Sequence, residues 1–583
     1  MTLQIIQSTP PVARPTPSLP GGPGMRVLVT NAYAPYDLKW GQSPSDLLGA
    51  RLARGHAMLE RAAELPTWSL YLLAENISNE ATVLEYPRWD DFVGAVRDRY
   101  DVICIETKAI TVPHVARMVK LVRQLSPGTK VVLGGYGVST IHEGVPNDSE
   151  HHREYLLANV DFFCRTEGVR FMRELLGDAP YDRPVTQYSL PPSIIRPYGG
   201  RRKLSELPAI LVSLGCPSAC DFCNTSAFFH HKKIQVFSPA EVYDCMKHHA
   251  KRMGEHEVTF ILFDEDIFLD PPFVRELGRL IRSDEKTWGF RWISFGSMRA
   301  LQAFTPRELR ECGVEGIWIG VESGLSDDSG NKATYVKRQT GVSPPELFAS
   351  LRKVGIYTIG SMILGFDFHT PENIARDIQY FVSLRPTFYQ IGPLRPCPGT
   401  KLYRQMQKAE RIKQNYTWGD FHLWESDSHH YANFSADEIR HWFDYTHDEL
   451  KRQNGSPVVQ IFEGHLLAYF QFRNDATPFL RHQAELARGR VHTLYPVVAG
   501  LLRTEPSRIV ATRMRELLGR ARGALSGDGV IRSAYRLVGG EVVGLFLRKA
   551  EWSNGRKATE ATWAPPMRRT RYRLDAHARR YAN

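Results

Sequence analysis

From residue 26 to about residue 180, short apolar runs alternate with stretches whose apolar residues recur at helical spacing. MRVLVT (25–30) and YDVICIET (100–107) are apolar enough, and short enough, for buried parallel strands. SLYLLAENI (69–77) is amphipathic. PHVARMVKLVRQL (113–125) keeps a helical period and ends in SPGTK, a turn signal, and KVVLGGYG (130–137) follows as a strand and a glycine turn. Strand, helix, strand at this pitch predicts a parallel sheet with helices on its faces, which binds ligands at the carboxyl ends of its strands.

Residues 1–25, rich in Pro, Ser and Gly, read as a disordered leader. Residues 181–208, with Pro184, Pro191, Pro192, Pro197 and the pair Gly199-Gly200, read as a linker. A second α/β series then predicts strands at 209–215, 258–263, 290–296, 316–322, 357–365 and 388–394. Helices are predicted at 238–253, 271–283, 305–313, 343–355 and 370–384. Several helices open with Ser or Thr followed by Pro, an N-cap and first-turn pair. Six strands separated by five helices predict a partial (β/α)6 barrel over 209–429, with its chemistry at the strand C-termini. From about residue 430 strand alternation stops, and 430–583 reads as an α-helical C-terminal region with a basic tail.

Composition is that of an ordinary globular chain, 43% hydrophobic and 23% charged over 583 residues. No run of ~18 apolar residues suggests a membrane span. The N-terminus has no basic stretch followed by an apolar core, so no secretory signal is read and a cytoplasmic location with reduced thiols is expected. Charge is unevenly placed: residues 501–583 hold 18 Lys and Arg against 7 Asp and Glu, an excess equal to the whole chain's net +11. The tail ending PPMRRTRYRLDAHARRYAN reads as a solvated end able to touch an anionic surface.

Three of the eight cysteines fall within LGCPSACDFCNT, spaced Cys216-x3-Cys220-x2-Cys223, directly after the first barrel strand. Thiolates are soft ligands for zinc or for iron–sulfur clusters. Zinc wants a fourth Cys or His, for which His230, His231 and Cys245 are available. A [4Fe–4S] cluster held by three thiolates has one iron open to another molecule. The count alone leaves both readings open.

GCPSACDFC resembles the signature of the radical S-adenosylmethionine (radical SAM) superfamily, with an aromatic, Phe222, before the last cysteine. The resemblance runs over roughly residues 205–405 and implies a [4Fe–4S] cluster on Cys216, Cys220 and Cys223, with S-adenosylmethionine on the open iron. It implies further contacts to S-adenosylmethionine from Phe222, from Asp264, Glu265 and Asp266 in LFDEDIFLD, from Ser297 and Arg299 in SMRA, and from Glu322 and Ser323 in WIGVESG. GSMILGF (360–366) and LRPCPGTKLY (394–403) are similar to later segments of the same family, although GFDFHTPE stands where relatives often read GFPGET. An electron donor of flavodoxin or ferredoxin type is also implied.

Residues 26–180 are similar to the cobalamin-binding domain that precedes the barrel in one radical SAM subgroup, a Rossmann-like fold. The likeness points to Glu106, Thr107, Gly134, Gly135, Glu167 and Gly168 as cobalamin contacts. The cobalt-ligating Asp-x-His-x-x-Gly motif of many cobalamin proteins is absent from TNAYAPYDLKWGQSP, as it is from many radical SAM relatives.

The implied activity is a cobalamin-dependent methyl transfer to an unactivated carbon of a secondary-metabolite or lipid substrate. The basic tail is a candidate membrane-surface contact, and no nucleic acid is expected. The alternatives are radical chemistry without methyl transfer and a zinc-bound binding protein. The histidine pairs 151–152, 230–231, 248–249 and 429–430 are expected at the surface, because neighbours in sequence do not face one site. Cys104 and Cys164 are expected as buried apolar groups, with structural roles for Cys312 and Cys397.

Overall fold

Two parallel sheets organise the computed structural model, and their carboxyl-end edges face one another. The structure describes residues 19, 24–37, 61–178, 184–197, 203–325, 343–422, 427–526, 536, 538–545 and 562–573. Most of the expected leader lies outside them.

The first sheet runs Arg568–Tyr572, Glu80–Glu85, Arg26–Asn31, Val102–Glu106, Lys130–Gly134, Phe162–Phe163. Its five N-terminal strands are parallel and, counted along the chain, lie in the order 2-1-3-4-5. That is the doubly wound order of flavodoxin type, a variant of the Rossmann-like expectation. Successive strand residues serve opposite faces. Leu28, Ile103 and Val131 pack in one buried cluster, while Val27, Val102 and Val132 pack in the other.

The strand Glu80–Glu85 escaped the sequence reading because glutamates frame its apolar centre. Glu85 is fully buried, and distant groups make this tolerable. Its carboxylate accepts hydrogen bonds from the Tyr71 hydroxyl at 2.7 Å, from the Thr67 amide, and from Arg568 Nη1 at 3.1 Å.

Arg568 belongs to the part of the chain expected to be helical and solvated. Residues 568–572 instead form an antiparallel strand on Glu80–Glu85, and Thr562–Trp563 pairs with Tyr36–Asp37. Arg569 pairs with Asp98 at 3.3 Å, and the Tyr572 hydroxyl donates to Ser189 Oγ at 2.9 Å. The described part of the basic tail is therefore a clasp on the N-terminal sheet. Its alternating pattern RRTRY went unread because the charges dominate it.

The described part of the expected linker also folds. Ser193–Pro197 pairs antiparallel with Arg61–Glu64 on one side and with Ser205–Leu207 on the other. The buried Glu75 carboxylate pins the preceding segment, accepting from Thr186 Oγ1 (3.0 Å), Tyr188 N (2.9 Å) and Ser189 N (2.8 Å).

The second sheet holds six parallel strands in chain order: Ala209–Leu211, Val258–Phe263, Phe290–Gly296, Val314–Glu322, Tyr357–Leu364 and Phe388–Pro393. Among the described residues the first and sixth do not pair, so the barrel is partial. The helices Pro239–Met253, Pro306–Glu311 and Pro344–Lys353 each begin with a capping box, from Ser238 to Glu241, Thr305 to Glu308 and Ser343 to Glu346. The Ser/Thr-Pro signal thus marked these three helix starts, whereas the helix expected from Thr370-Pro371 begins later, at Ile374, with Asn373 before it.

The helices Ala436–Asn454, Pro457–Phe472, Pro478–Leu501 and Arg508–Ala524 follow. A buried charge cluster joins them to the barrel floor. Glu315, at the foot of the fourth barrel strand, meets Arg490 at 2.5 Å and Arg310 at 3.1 Å. Burial alone would raise its pKa, but Arg490, Arg291 and Arg310 overcome this and hold the carboxyl well below the usual range. Among the described residues no helix is long and apolar enough to cross a membrane.

Of the histidines expected at the surface, His151, His230 and His231 are exposed and His152 is half-buried, but the other two pairs are split. His249 and His429 are buried, whereas His248 and His430 are exposed. On the helix bearing 248–249 a one-residue step turns about 100°, so one partner faces inward. Burial keeps His249 neutral, its pKa falling to about 3.

Arg568→Met should strip a fully buried carboxylate of its cation and lower unfolding free energy by roughly 1–3 kcal/mol, discounted because Arg568 is half-buried. Urea denaturation of the full chain checks this. An unchanged midpoint would show that the clasp contributes nothing.

Candidate active site

Gly215 has φ +76°, and a Cβ there would stand 2.2 Å from the carbonyl oxygen of Lys232. The glycine lets the chain leave the first barrel strand and enter the cysteine loop beside a returning backbone. The Cys223 amide donates to the Cys220 carbonyl at 3.0 Å, and Cys223 caps the short helix Asn224–Phe228. Ser226 Oγ reaches back to the Cys216 carbonyl at 2.8 Å. Asp221 fastens the loop to the segment after the sixth strand, through Lys401 at 3.0 Å and the Leu402 amide at 3.0 Å.

Cys216 and Cys220 are buried, Cys223 is half-buried, and none of the eight cysteines forms a disulfide. The donor set is therefore three soft thiols on one short loop at a strand end, which fits an iron–sulfur cluster in its chemistry. Among the described residues, however, no three His, Cys, Asp or Glu side chains are grouped closely enough to hold a metal ion. Of the three residues considered for a fourth zinc ligand, Cys245 is packed in the barrel core, where burial pushes its thiol up. His231 bonds Ser226 at 3.0 Å.

The acidic segment after the second barrel strand divides its work. Asp264 is buried and engaged: Ser213 Oγ donates at 2.7 Å, the Asp266 amide at 2.9 Å, and Lys233 Nζ stands 2.8 Å from its second oxygen. Glu265 is exposed. Asp266 is buried, and among the described residues its Oδ1 has no hydrogen-bond partner. Burial raises its pKa to about 6, against opposing hydrogen bonds from Ser297 and the charge of Lys233. A buried carboxylate oxygen without a donor is a place for a ligand's ammonium or hydroxyl. Arg299, half-buried after the third strand, makes no ion pair or side-chain hydrogen bond among the described residues.

Glu322 ends the fourth strand at φ +60°, where the register with the fifth strand shifts by a bulge. A bulky side chain in the left-handed region marks a re-aimed strand end. Ser323 beside it is committed elsewhere. It donates to Asp377 Oδ2 at 2.6 Å, Asp377 also accepts from the Gly324 amide, and His369 Nε2 lies 2.9 Å away. All three side chains are buried, and the network ties the fourth strand end to the turn at Gly365, whose amide donates to His369 Nδ1. Phe222 packs edge-on against Phe366, ring centres 6.2 Å apart.

Above the cysteine loop lies a cavity of about 270 Å³ at the switch point of the N-terminal sheet. Five of the six residues expected to meet cobalamin line it: Glu106, Gly134, Gly135, Glu167 and Gly168. Leu214, Phe228 and Phe229 of the cysteine-loop region complete the wall. Thr107 stands behind the turn. A Cβ on Gly135, at φ +86°, would lie 2.7 Å from its carbonyl oxygen. Glu167 is partly committed as a helix cap, accepting from the amides of Val169 (2.8 Å) and Arg170 (2.9 Å). The Glu106 carboxylate raises the pKa of nearby Lys108.

Leu70, Leu73, Cys104, Cys164 and Tyr136 also line the cavity and were missed as site residues. Burial keeps Cys164 protonated, pushing its thiol to about 12. The aromatic run AFFHH after the cysteines was the unused signal. The volume lies near the lower end of small-molecule pockets, ~300–1,000 Å³, so a group as large as cobalamin would fill it and extend beyond it.

No family model matches the chain. Over 395 residues, 64% of this chain and 79% of the relative, it is 26% identical to a bacteriochlorophyllide d C-12(1)-methyltransferase of Chlorobaculum tepidum. Over 225 residues, 38% of this chain and 45% of the relative, it is 23% identical to an uncharacterised methyltransferase of Pyrococcus horikoshii. Among solved structures it is similar to the radical S-adenosylmethionine methyltransferase TsrM of Kitasatospora setae, with cobalamin and a [4Fe–4S] cluster bound. That likeness has 15% identity, covers 81% of this chain and 99% of that one, and has a TM-score of 0.47. The chain is similar to radical SAM methyltransferases. The mixed α/β class read from the sequence is the one found.

Between about pH 4 and 6 folded Asp266 keeps a proton that the unfolded chain has lost, so rising pH removes stability across that window. Asp266→Asn should abolish this loss, on the order of 2 kcal/mol between pH 4.5 and 7 relative to wild type. Urea unfolding at both pH values reads it, and identical pH slopes would refute the assignment.

Proposed function

We propose that the protein is a cobalamin-dependent radical SAM methyltransferase that methylates an unactivated carbon of a small molecule. The observation carrying this reading is the single cavity wall shared by the expected cobalamin residues and the cysteine-loop region. When bound, the cluster and cobalamin supply, respectively, the electron that cleaves S-adenosylmethionine to methionine and a 5′-deoxyadenosyl radical, and the methyl group that is transferred.

The chain's own residues bind, orient and exclude water. Cys216, Cys220 and Cys223 would hold three irons. Asp266 Oδ1 would accept from the amino group of S-adenosylmethionine, while Lys233 and Ser213 keep Asp264 in place beside it. Arg299 has its guanidinium available for the carboxylate. Val29, Leu70, Leu73, Val132, Phe228 and Phe229 make the cavity largely apolar, which protects a carbon radical from water. The same lining suits a lipid or an apolar secondary metabolite. An electron donor of flavodoxin or ferredoxin type completes the requirement. The described part of the tail is committed to the N-terminal sheet and lends no support to membrane contact.

The test is anaerobic reconstitution followed by iron, sulfide and cobalt assays and by measurement of 5′-deoxyadenosine. Wild type should hold iron, sulfide and stoichiometric cobalt, and Cys220→Ala should lose the cluster absorbance and 5′-deoxyadenosine together. A variant that still cleaves S-adenosylmethionine reductively would overturn the cysteine assignment. An active cluster without cobalt would favour radical chemistry without methyl transfer, and one zinc with no cluster absorbance would favour a zinc-bound protein.

A further inference from the structure

Tyr136 closes the turn Gly134-Gly135 and lines the cavity, with 37% of its surface exposed. Its phenol oxygen accepts a hydrogen bond from Thr225 Oγ1 at 3.3 Å, on the helix that begins after Cys223. Its ring meets Phe228 of the same helix edge-on, centres 5.2 Å apart. An accepting phenol still has its own proton to give, and no acceptor among the described residues takes it.

The turn beneath Tyr136 is pressed onto its neighbour. The Thr107 amide donates to Gly134 at 2.8 Å, and the Thr107 carbonyl accepts from Gly137 at 2.9 Å. A Cβ on Gly135 or Gly137 would stand 2.7 Å from that carbonyl oxygen. Tyr136 therefore rides on a backbone with little room to move. A group filling the cavity meets a fixed phenol whose other attachment is the cysteine-loop helix.

We propose that Tyr136 is a positioning residue that couples the cavity to the cysteine loop. Its phenol proton hydrogen-bonds the occupant of the cavity, and its tether to Thr225 passes that occupancy to the segment bearing Cys216, Cys220 and Cys223. The inference rests on the cofactor reading above. Such coupling is reciprocal: a formed cluster site tightens the cavity's grip, and a filled cavity favours the loop geometry that holds the cluster.

The experiment is an anaerobic titration of the full chain with hydroxocobalamin, before and after iron–sulfur reconstitution, read by the visible spectrum of the bound cobalamin. Wild type should bind about fivefold more tightly after reconstitution, the lower end of ordinary coupling factors. Tyr136→Phe keeps the ring against Phe228 and loses the hydroxyl, so the factor should fall to less than half. Tyr136→Ala should bring it to one. Adding Thr225→Val to Tyr136→Phe should cost little more, because both remove the same contact.

If Tyr136→Ala loses iron, Tyr136→Phe decides. Tyr136→Phe with the full factor, or wild type binding equally in both states, overturns the inference. Wild type binding no hydroxocobalamin in either state overturns the cofactor reading itself, and the coupling falls with it.

Discussion

A parallel sheet leaves all its strand ends on one edge, and in this protein two such edges abut. The carboxyl ends of the N-terminal strands bring Glu106, Gly134 and Glu167 to the same wall as Leu214, Phe228 and Phe229, which follow from the first barrel strand. Trp68 of the N-terminal region rests on Phe263 at the end of the second barrel strand, ring centres 4.6 Å apart. Trp418 Nε1 bonds Asp148 at 2.9 Å and the Gly399 amide donates to Glu143, both across the same junction. The cavity at this junction takes its lining from both sheets. The chemistry proposed for the molecule needs both edges at once.

Around these edges, buried charges satisfied from far along the chain hold distant segments in place. Glu75 gathers the connecting segment, Glu315 the helical bundle, Asp377 the ends of two barrel strands, and Glu85 the C-terminal strand. A buried carboxylate is costly unless it is paired and hydrogen-bonded. Each of these therefore specifies one arrangement of distant segments rather than adding indiscriminate adhesion.

Much of the architecture was legible in the sequence, and the parts that were not share a physical cause. Val258–Phe263 and Phe290–Gly296 were read with their observed bounds, because apolar and aromatic residues dominate both short runs and charged, glycine or serine residues bound them. Glu80–Glu85 and Arg568–Tyr572 were not read, because their polar residues are neutralised only by each other and by other remote groups, and no local pattern records that. At the site, the cysteine spacing and the glycine turn were visible as motifs. The engagement of Ser323 with Asp377 was not, because it depends on a helix more than fifty residues away. Tyr136 was passed over for the same reason: its partner Thr225 lies 89 positions on.

The strand Arg568–Tyr572 has a consequence for how the chain is made. Arg568 is synthesised 483 positions after Glu85. At ribosomal rates of ~5–20 residues per second, that interval is roughly 25–100 s. Throughout it, Glu85 has no arginine and the edge strand Glu80–Glu85 has a row of unsatisfied backbone groups, the kind of edge that recruits other chains. The domain that emerges first is thus among the last to be completed, since its edge strand waits for residues made hundreds of positions later.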